Sequence, residues 1–220
     1  MSKPNECEVN QALCHQINVM GTRHVSEACS IVNARLVFLS TDFVFGDHGP
    51  YSEEDLYDPV NYYGQSKMEA EQWIMDAGLP FSIVRTVLVY AAQKDGMQPT
   101  FLQWVKARLE QGQTLRVFTD QLRTATYVLD LVKSLETIIQ QQASGIFHIC
   151  GREVLSPYQM ACAVAKGLGY DNRKIEPVTR ADFQEAARRP RNSTLKIDKA
   201  NRELGFNPKS FFEVLPLLIA

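Results

Sequence analysis

No hydrophobic run in the 220 residues reaches the length of about 18 that a helix needs to cross a bilayer. The opening stretch MSKPNECEVN also lacks the apolar core of a secretory leader. Cysteine is sparse: Cys7, Cys14, Cys29, Cys150 and Cys162 are odd in number and form no Cys-x-x-Cys pair. That pattern suits buried, reduced thiols better than a disulfide framework. Histidine is sparser still, and His15, His24, His48 and His148 are too dispersed for a zinc site. Positive charge is not in excess, since 23 Lys and Arg against 25 Asp and Glu give a net charge of −2. Without a basic surplus, nucleic acid is not an expected partner. The densest basic stretch, RRPRNSTLK, suits a solvated face or one anionic ligand. No metal and no membrane are expected, and the cytoplasm is the expected compartment.

What the chain does contain is ordinary globular material, 45% hydrophobic and 22% charged. It is long enough for one or two cores. Apolar residues recur at helical spacing from Val9 to Val32, which predicts one long helix. RLVFLS (35–40) is a short continuous apolar run, as in a buried parallel strand. A loop rich in Gly, Pro and Asp follows, then a helix from about Tyr62 to Ala77, stopped by Gly78 and Pro80. FSIVRTVLVY (81–90) reads as a second strand. Beyond it come a helix near 101–111, a strand at 114–118, a helix over YVLDLVKSLETIIQQ and a strand in GIFHICG (145–151). A further helix has Ser156 as its cap and Pro157 at its first position. Strands alternating with helices predict an α/β fold with a parallel sheet.

Tyr-x-x-x-Lys occurs three times, as Tyr63/Lys67, Tyr90/Lys94 and Tyr170/Lys174, so the spacing alone selects nothing. The second pair runs from a strand into a loop and the third lies in a turn. Only Tyr63 and Lys67 share a helix face, one turn apart. A lysine ammonium near a phenol favours the phenolate, and a tyrosine so tuned can exchange a proton with a carbonyl or alcohol. Ser40, Thr41 and Asp42 follow the first strand, and ligands of parallel α/β sheets bind at such carboxyl ends. Read as residues alone, Ser40-Thr41 can equally be a polar strand end and Tyr63/Lys67 a chance pair.

Several segments in order carry a resemblance. FLSTDFVFGDHGPYSEEDLYDPVNYYGQSKMEAE, VRTVLVY, DQLRTATYVLDL, ARRPRNSTL and NVMGT are similar to motifs of the extended short-chain dehydrogenases/reductases, in particular the dTDP-4-dehydrorhamnose reductase group. The matches run from about Cys7 to Pro208. The resemblance implies a partial Rossmann-type, doubly wound parallel sheet with a smaller α/β C-terminal substrate lobe. Residues 1–90 would be the C-terminal part of the NAD(P)-binding domain. Residues 91–220 would be mainly the substrate lobe, with 127–151 returning to the Rossmann sheet. It implies reduction of a 4-keto sugar nucleotide by NADPH or NADH, with Tyr63 as proton donor. Lys67 would lower the Tyr63 pKa and bind the nicotinamide ribose. Thr41, with Ser40, would hold the substrate carbonyl, and Ser40 would also touch the cofactor. Asp42, Arg123, Arg189 and Arg191 would bind the substrate, the arginines through its diphosphate. Relatives often pair, which implies a homodimer through the helices near 9–32 and 62–77.

Three departures qualify the resemblance. Relatives open with a strand and a Gly-x-x-Gly-x-x-Gly loop that seats the cofactor pyrophosphate on a helix N-terminus. The twelve glycines here form no such loop. The expectation is therefore part of a longer polypeptide or a misplaced start, with exposed apolar edges and weak dinucleotide binding on its own. Leu88 stands where the group often has a tryptophan of the sugar pocket, which puts the rhamnose precursor in question as substrate. Gly46-Asp47 and Ala125 point to a divergent subgroup. The alternatives are a non-catalytic regulatory subunit of the same fold, like that of methionine adenosyltransferase, and a nucleotide-sugar epimerase or dehydratase.

Overall fold

A computed structural model describes residues 1–183 and 185–219. Its central feature is a parallel sheet of order β1-β2-β6, from β1 (Leu36–Thr41), β2 (Phe81–Thr86) and β6 (Gly145–His148). The register sets Thr41 beside Thr86 and Ser40 beside Arg85, so the polar strand ends lie together. Two short parallel ladders flank the sheet. One joins β3 (Val89–Tyr90) to β5 (Thr126–Tyr127), and the other joins β4 (Leu115–Phe118) to β7 (Ile175–Val178).

The first predicted helix is not continuous. α1 (Pro4–Val9) and α2 (Gln11–His15) break at Asn10, and a π-helical turn, Gln16–Met20, leads into α3 (Gly21–Ile31). Leu13, Ile17 and Val25 continue the apolar periodicity across these breaks, yet all three are about half exposed. β1 lies at the sheet edge, and Leu39 on it is 46% exposed. The expected strand 81–90 is likewise two strands. Leu88, with φ of +33°, turns the chain between them and delivers β3 to a different sheet.

α4 (Tyr62–Asp76) begins and ends for clear local reasons. The Asn61 side chain accepts from Gly64 N at 2.9 Å, which satisfies one of the free first-turn amides. Gly78, at φ +68°, lets the chain leave the helix without a Cβ clash. α6 (Val128–Gln140) and α8 (Asp198–Leu204) cover the sheet, where Leu131, Ile138, Ala200 and Leu204 pack on Val84 and Phe147. A second core gathers α5 (Phe101–Glu110), α7 (Pro157–Gly167) and α9 (Phe211–Ile219) around β4 and β7. Ser156 caps α7 in a capping box with Gln159, as the sequence predicted.

One buried ion pair pins α4 to the sheet. Arg85 Nη2 lies 2.7 Å from Glu71 Oε2, with Arg85 Nε 3.1 and 3.2 Å from the two carboxylate oxygens. Both side chains are closed to solvent. Tyr57 donates its hydroxyl to Glu71 at 2.8 Å, and the guanidinium sits 4.9 Å from the Phe45 ring centre. A buried pair that loses one partner leaves an uncompensated charge, at a cost of about 3–5 kcal/mol. Arg85→Met is therefore expected to lower urea-unfolding stability by about that amount. The double variant Arg85→Met/Glu71→Leu should recover most of the loss, and equal instability of the single and double variants would contradict the assignment.

Candidate active site

Tyr63, Lys67 and Glu71 fall on one face of α4, each one turn from the next, and the Glu71–Arg85 pair turns that face to the sheet. The first turn of α4 presses against the segment after β1. A Cβ on Gly64 would lie inside the Phe43 carbonyl oxygen, so this position of NYYGQSK admits no side chain without moving the helix. The Tyr63 ring meets the Phe43 ring edge-on at 5.9 Å. Behind it, Ser66 Oγ donates to the Tyr63 carbonyl at 2.8 Å and accepts from Asn18 Nδ2 at 3.0 Å. Asn18 stands in the π-helical turn, where the altered winding brings it to Ser66. The sequence flagged NVMGT without giving Asn18 a role, and Asn61 was not singled out at all.

An open cavity of about 920 Å³ lies at the carboxyl end of β1. Ser40, Thr41, Asp42, Tyr63, Arg123 and Arg189 all border it. So does Leu88, at the position the resemblance connects with the sugar pocket, as do Trp104, Arg116, Phe118, Gln121 and Phe183, which sequence reasoning did not assign to the lining. Arg116 could have been suspected, as the charged member of the alternating strand β4, and its guanidinium lies 4.4 Å from the Phe183 ring centre. A second cavity of about 800 Å³ shares Phe118, Phe183, Glu185 and Arg189 and adds Arg180, Arg188 and Arg191.

The expected roles divide on this geometry. Burial pushes Tyr63 up to about 12, with the Thr41 hydroxyl opposing and the Asp42 charge adding to the rise. Lys67 does not supply the expected lowering. Its ammonium donates to the Leu39 carbonyl at 2.8 Å and lies 3.8 Å from the Phe38 ring centre. Burial lowers Lys67 to about 8, with Glu71 one turn on pulling the other way. Ser40 Oγ is buried and has no hydrogen-bond partner among the described residues, so a donor-acceptor group stands unused at the cavity edge. Asp42 is buried and bonded to Thr41 and Ser193.

Arg123 points inward. It donates to the carbonyls of Leu122 at 2.7 Å and Pro190 at 3.1 Å and to Gln121 Oε1 at 3.2 Å, and it is 5% exposed. The Arg188, Arg189 and Arg191 carbonyls accept from Asn61, Arg180 and the Leu122 amide, respectively. The arginine loop is thus fixed through its backbone. The Arg189 Nε donates to Glu185, and Arg191 is exposed.

Similarity to known proteins extends over nearly the whole chain. Residues 2–220 match the family model described as the RmlD substrate binding domain. A dTDP-4-dehydrorhamnose reductase of Mycobacterium tuberculosis is 34% identical over 196 residues, covering 86% of this chain and 63% of the relative. The chain therefore spans just under two thirds of that reductase. Methionine adenosyltransferase 2 subunit beta of Bos taurus is 25% identical over 219 residues, covering 96% of this chain and 65% of the relative. The crystal structure of dTDP-4-dehydrorhamnose reductase from Bacillus anthracis in complex with NADP superposes with a TM-score of 0.90. It is 28% identical, and the match covers 99% of this chain and 76% of that one. With Tyr63, Thr41 and the cavity set where a sheet of this type binds ligands, the chain belongs to the RmlD substrate-binding-domain family.

Proposed function

We propose that the chain carries the proton-transfer and substrate-binding half of an NAD(P)H-dependent reductase acting on a 4-keto sugar nucleotide. The observation that carries this reading is the meeting of Thr41 and Tyr63 at one cavity, with Lys67 one helical turn behind. Burial keeps Tyr63 protonated, which is the form a proton donor to a carbonyl oxygen needs. Ser40, whose buried hydroxyl has no protein partner, orients that oxygen, with Thr41 beside it on the cavity wall. Arg189, shared by both cavities, and Arg116 on β4 are the arms for the diphosphate. Arg123 is assigned to holding the arginine loop, because its Nη2 group donates to the Pro190 carbonyl and to Gln121.

The residues present fit the nicotinamide-ribose end of a dinucleotide: Ser40 has a free hydroxyl, and Tyr63 and Lys67 share the adjoining helix face. NADPH or NADH, when bound, would supply the hydride. The Leu39 carbonyl keeps the Lys67 ammonium beside β1, and Lys67 would help to hold the ribose when the cofactor is bound. Pairing of two copies through the outer sides of α3 and α4, where Val25 and Trp73 are about half exposed, belongs to the same reading.

The second reading is a regulatory subunit, supported by the similarity to the adenosyltransferase beta subunit over 96% of the chain. Assay of the full-length polypeptide with NADPH and a panel of 4-keto nucleotide sugars separates the two. Oxidation of NADPH, with Tyr63→Phe slower by about 10²–10⁴-fold, is expected for the enzyme. No oxidation with any sugar, or a Tyr63→Phe rate equal to the parent, would favour the subunit.

The lysine makes a separate prediction. Its folded value, about 8, is below the ordinary 10.5, so between these pH values the unfolded chain binds more protons. Lys67 therefore makes stability rise with pH across that window. Lys67→Met should flatten the rise relative to the parent in urea titrations at pH 7.5 to 10.5, a range spanning that window. An unchanged slope would show that the ammonium is better solvated than its position beneath Leu39 implies.

A further inference from the structure

The cavity at the end of β1 has two chemically different walls. One carries the hydroxyls of Ser40, Thr41 and Tyr63. The other is built on the second core, where α5 packs on β4, and it carries Phe101, Trp104, Arg116 and Phe118. No role has yet been given to the aromatic rings of that wall.

The helix α5 explains how they come to stand there. Its core face is Leu102, Val105 and Leu109, each no more than 2% exposed. Phe101 and Trp104, one turn apart, fall on a neighbouring face and border the cavity, with ring centres 5.8 Å apart. Burial does not account for a tryptophan at this position, since Trp104 is 38% exposed. A large ring left open in a concave site has its surface available to a ligand. The helix also holds that ring in place. Thr100 N donates to Gln103 Oε1 at 3.0 Å, and Gln103 Nε2 donates to the Ala91 carbonyl at 2.7 Å. The first turn is thereby tied at its cap and to the chain leaving β3.

On β4, Arg116 alternates with the buried Leu115 and Val117, so it points away from the core. Its guanidinium is held against the Phe183 ring, 4.4 Å from the centre. A guanidinium held by a ring keeps its N–H edge for an anion. Phe183 is about as open as Trp104, but the guanidinium takes one of its faces, and Leu88 offers the cavity only an aliphatic surface. Trp104 is therefore the ring best placed to receive a flat group. An open ring and an available guanidinium on two packed elements suit a nucleoside diphosphate, which brings a base to stack and a diphosphate to bond. We propose that the base of the nucleotide stacks on Trp104 with its diphosphate at Arg116, so that α5 sets the affinity for the nucleotide apart from the sugar that reacts. The hydroxyl wall is then left to the sugar.

This inference rests on the reductase reading for its class of ligand, but its test needs no turnover. The chain has two tryptophans, and Trp73 does not border the cavity but lies under the Arg23 guanidinium, 4.7 Å away. The emission of Trp73→Phe minus that of Trp73→Phe/Trp104→Phe is the signal of Trp104 alone. Thymidine diphosphate, which has no sugar on its diphosphate, should quench that signal to saturation. In calorimetric titrations the same ligand should bind Trp104→Leu about 5- to 150-fold more weakly than the parent, the range of one lost base stack. Trp104→Phe should keep most of the affinity. Leucine preserves an apolar contact with Phe101, so a mere packing role would leave the two variants alike. Equal affinities of Trp104→Leu and Trp104→Phe would overturn the proposal. Quenching by the nucleotide sugar or by NADP⁺ without quenching by thymidine diphosphate, or quenching by none of the three, would do the same. If Trp104→Leu does not fold, the quenching still decides. NADPH oxidation with a keto sugar, while thymidine diphosphate leaves Trp104 unmoved, sinks this inference and spares the reductase reading. Quenching without oxidation does the reverse.

Discussion

The Arg85–Glu71 pair is the fixed point from which the site is built. Its two ends belong to β2 and α4, so it sets both the rotation of the helix and its height along the sheet. Tyr63 and Lys67 lie two turns and one turn before Glu71 on the same face. Fixing Glu71 therefore aims Lys67 at the Leu39 carbonyl and brings Tyr63 to the end of β1. Two charges out of water need full compensation, and here they have it: a bidentate contact, the Tyr57 hydroxyl and the rings of Phe45 and Tyr57. The close approach at Gly64 then locks the first turn of the helix against Phe43.

A second set of polar contacts joins the C-terminal segment to this scaffold. Asp42 meets Ser193, Asn61 meets the Arg188 carbonyl, and Asp47 accepts from the Arg191 amide at 2.7 Å. These contacts are made largely with backbone, so the arginine loop keeps its course while side chains such as Arg189 border the cavities. The loop after β1 thus serves two purposes at once. It closes one side of the cavity and provides acceptors that seat the loop opposite.

Much of the fold could be read from the chain. Continuous apolar runs marked β1, β2 and β6, and the caps of α7 were visible as Ser156 and Pro157. The Tyr63/Lys67 face was legible because helical spacing is a local property. The breaks were not: Asn10, the π-helical turn and the turn at Leu88 arise where tertiary contacts override an unbroken apolar pattern. The resemblance, with the fit of a guanidinium fork to phosphate, implies ligand-binding roles for Asp42 and Arg123. Burial adds a contact between the two that spacing does not reveal, and it gives Asp42 the Ser193 hydroxyl.

The sequence by itself determined the α/β class, the order of the motifs and which tyrosine shares a helix face with a lysine, since each depends on spacing along a few turns or one strand. Tertiary structure alone decided the electrostatics. Lys67 next to Tyr63 in sequence implied a lowered phenol, yet the ammonium turns to Leu39 and burial raises the phenol to about 12. Desolvation and the partner of Asp42 depend on residues more than a hundred positions away, and no local pattern can encode them.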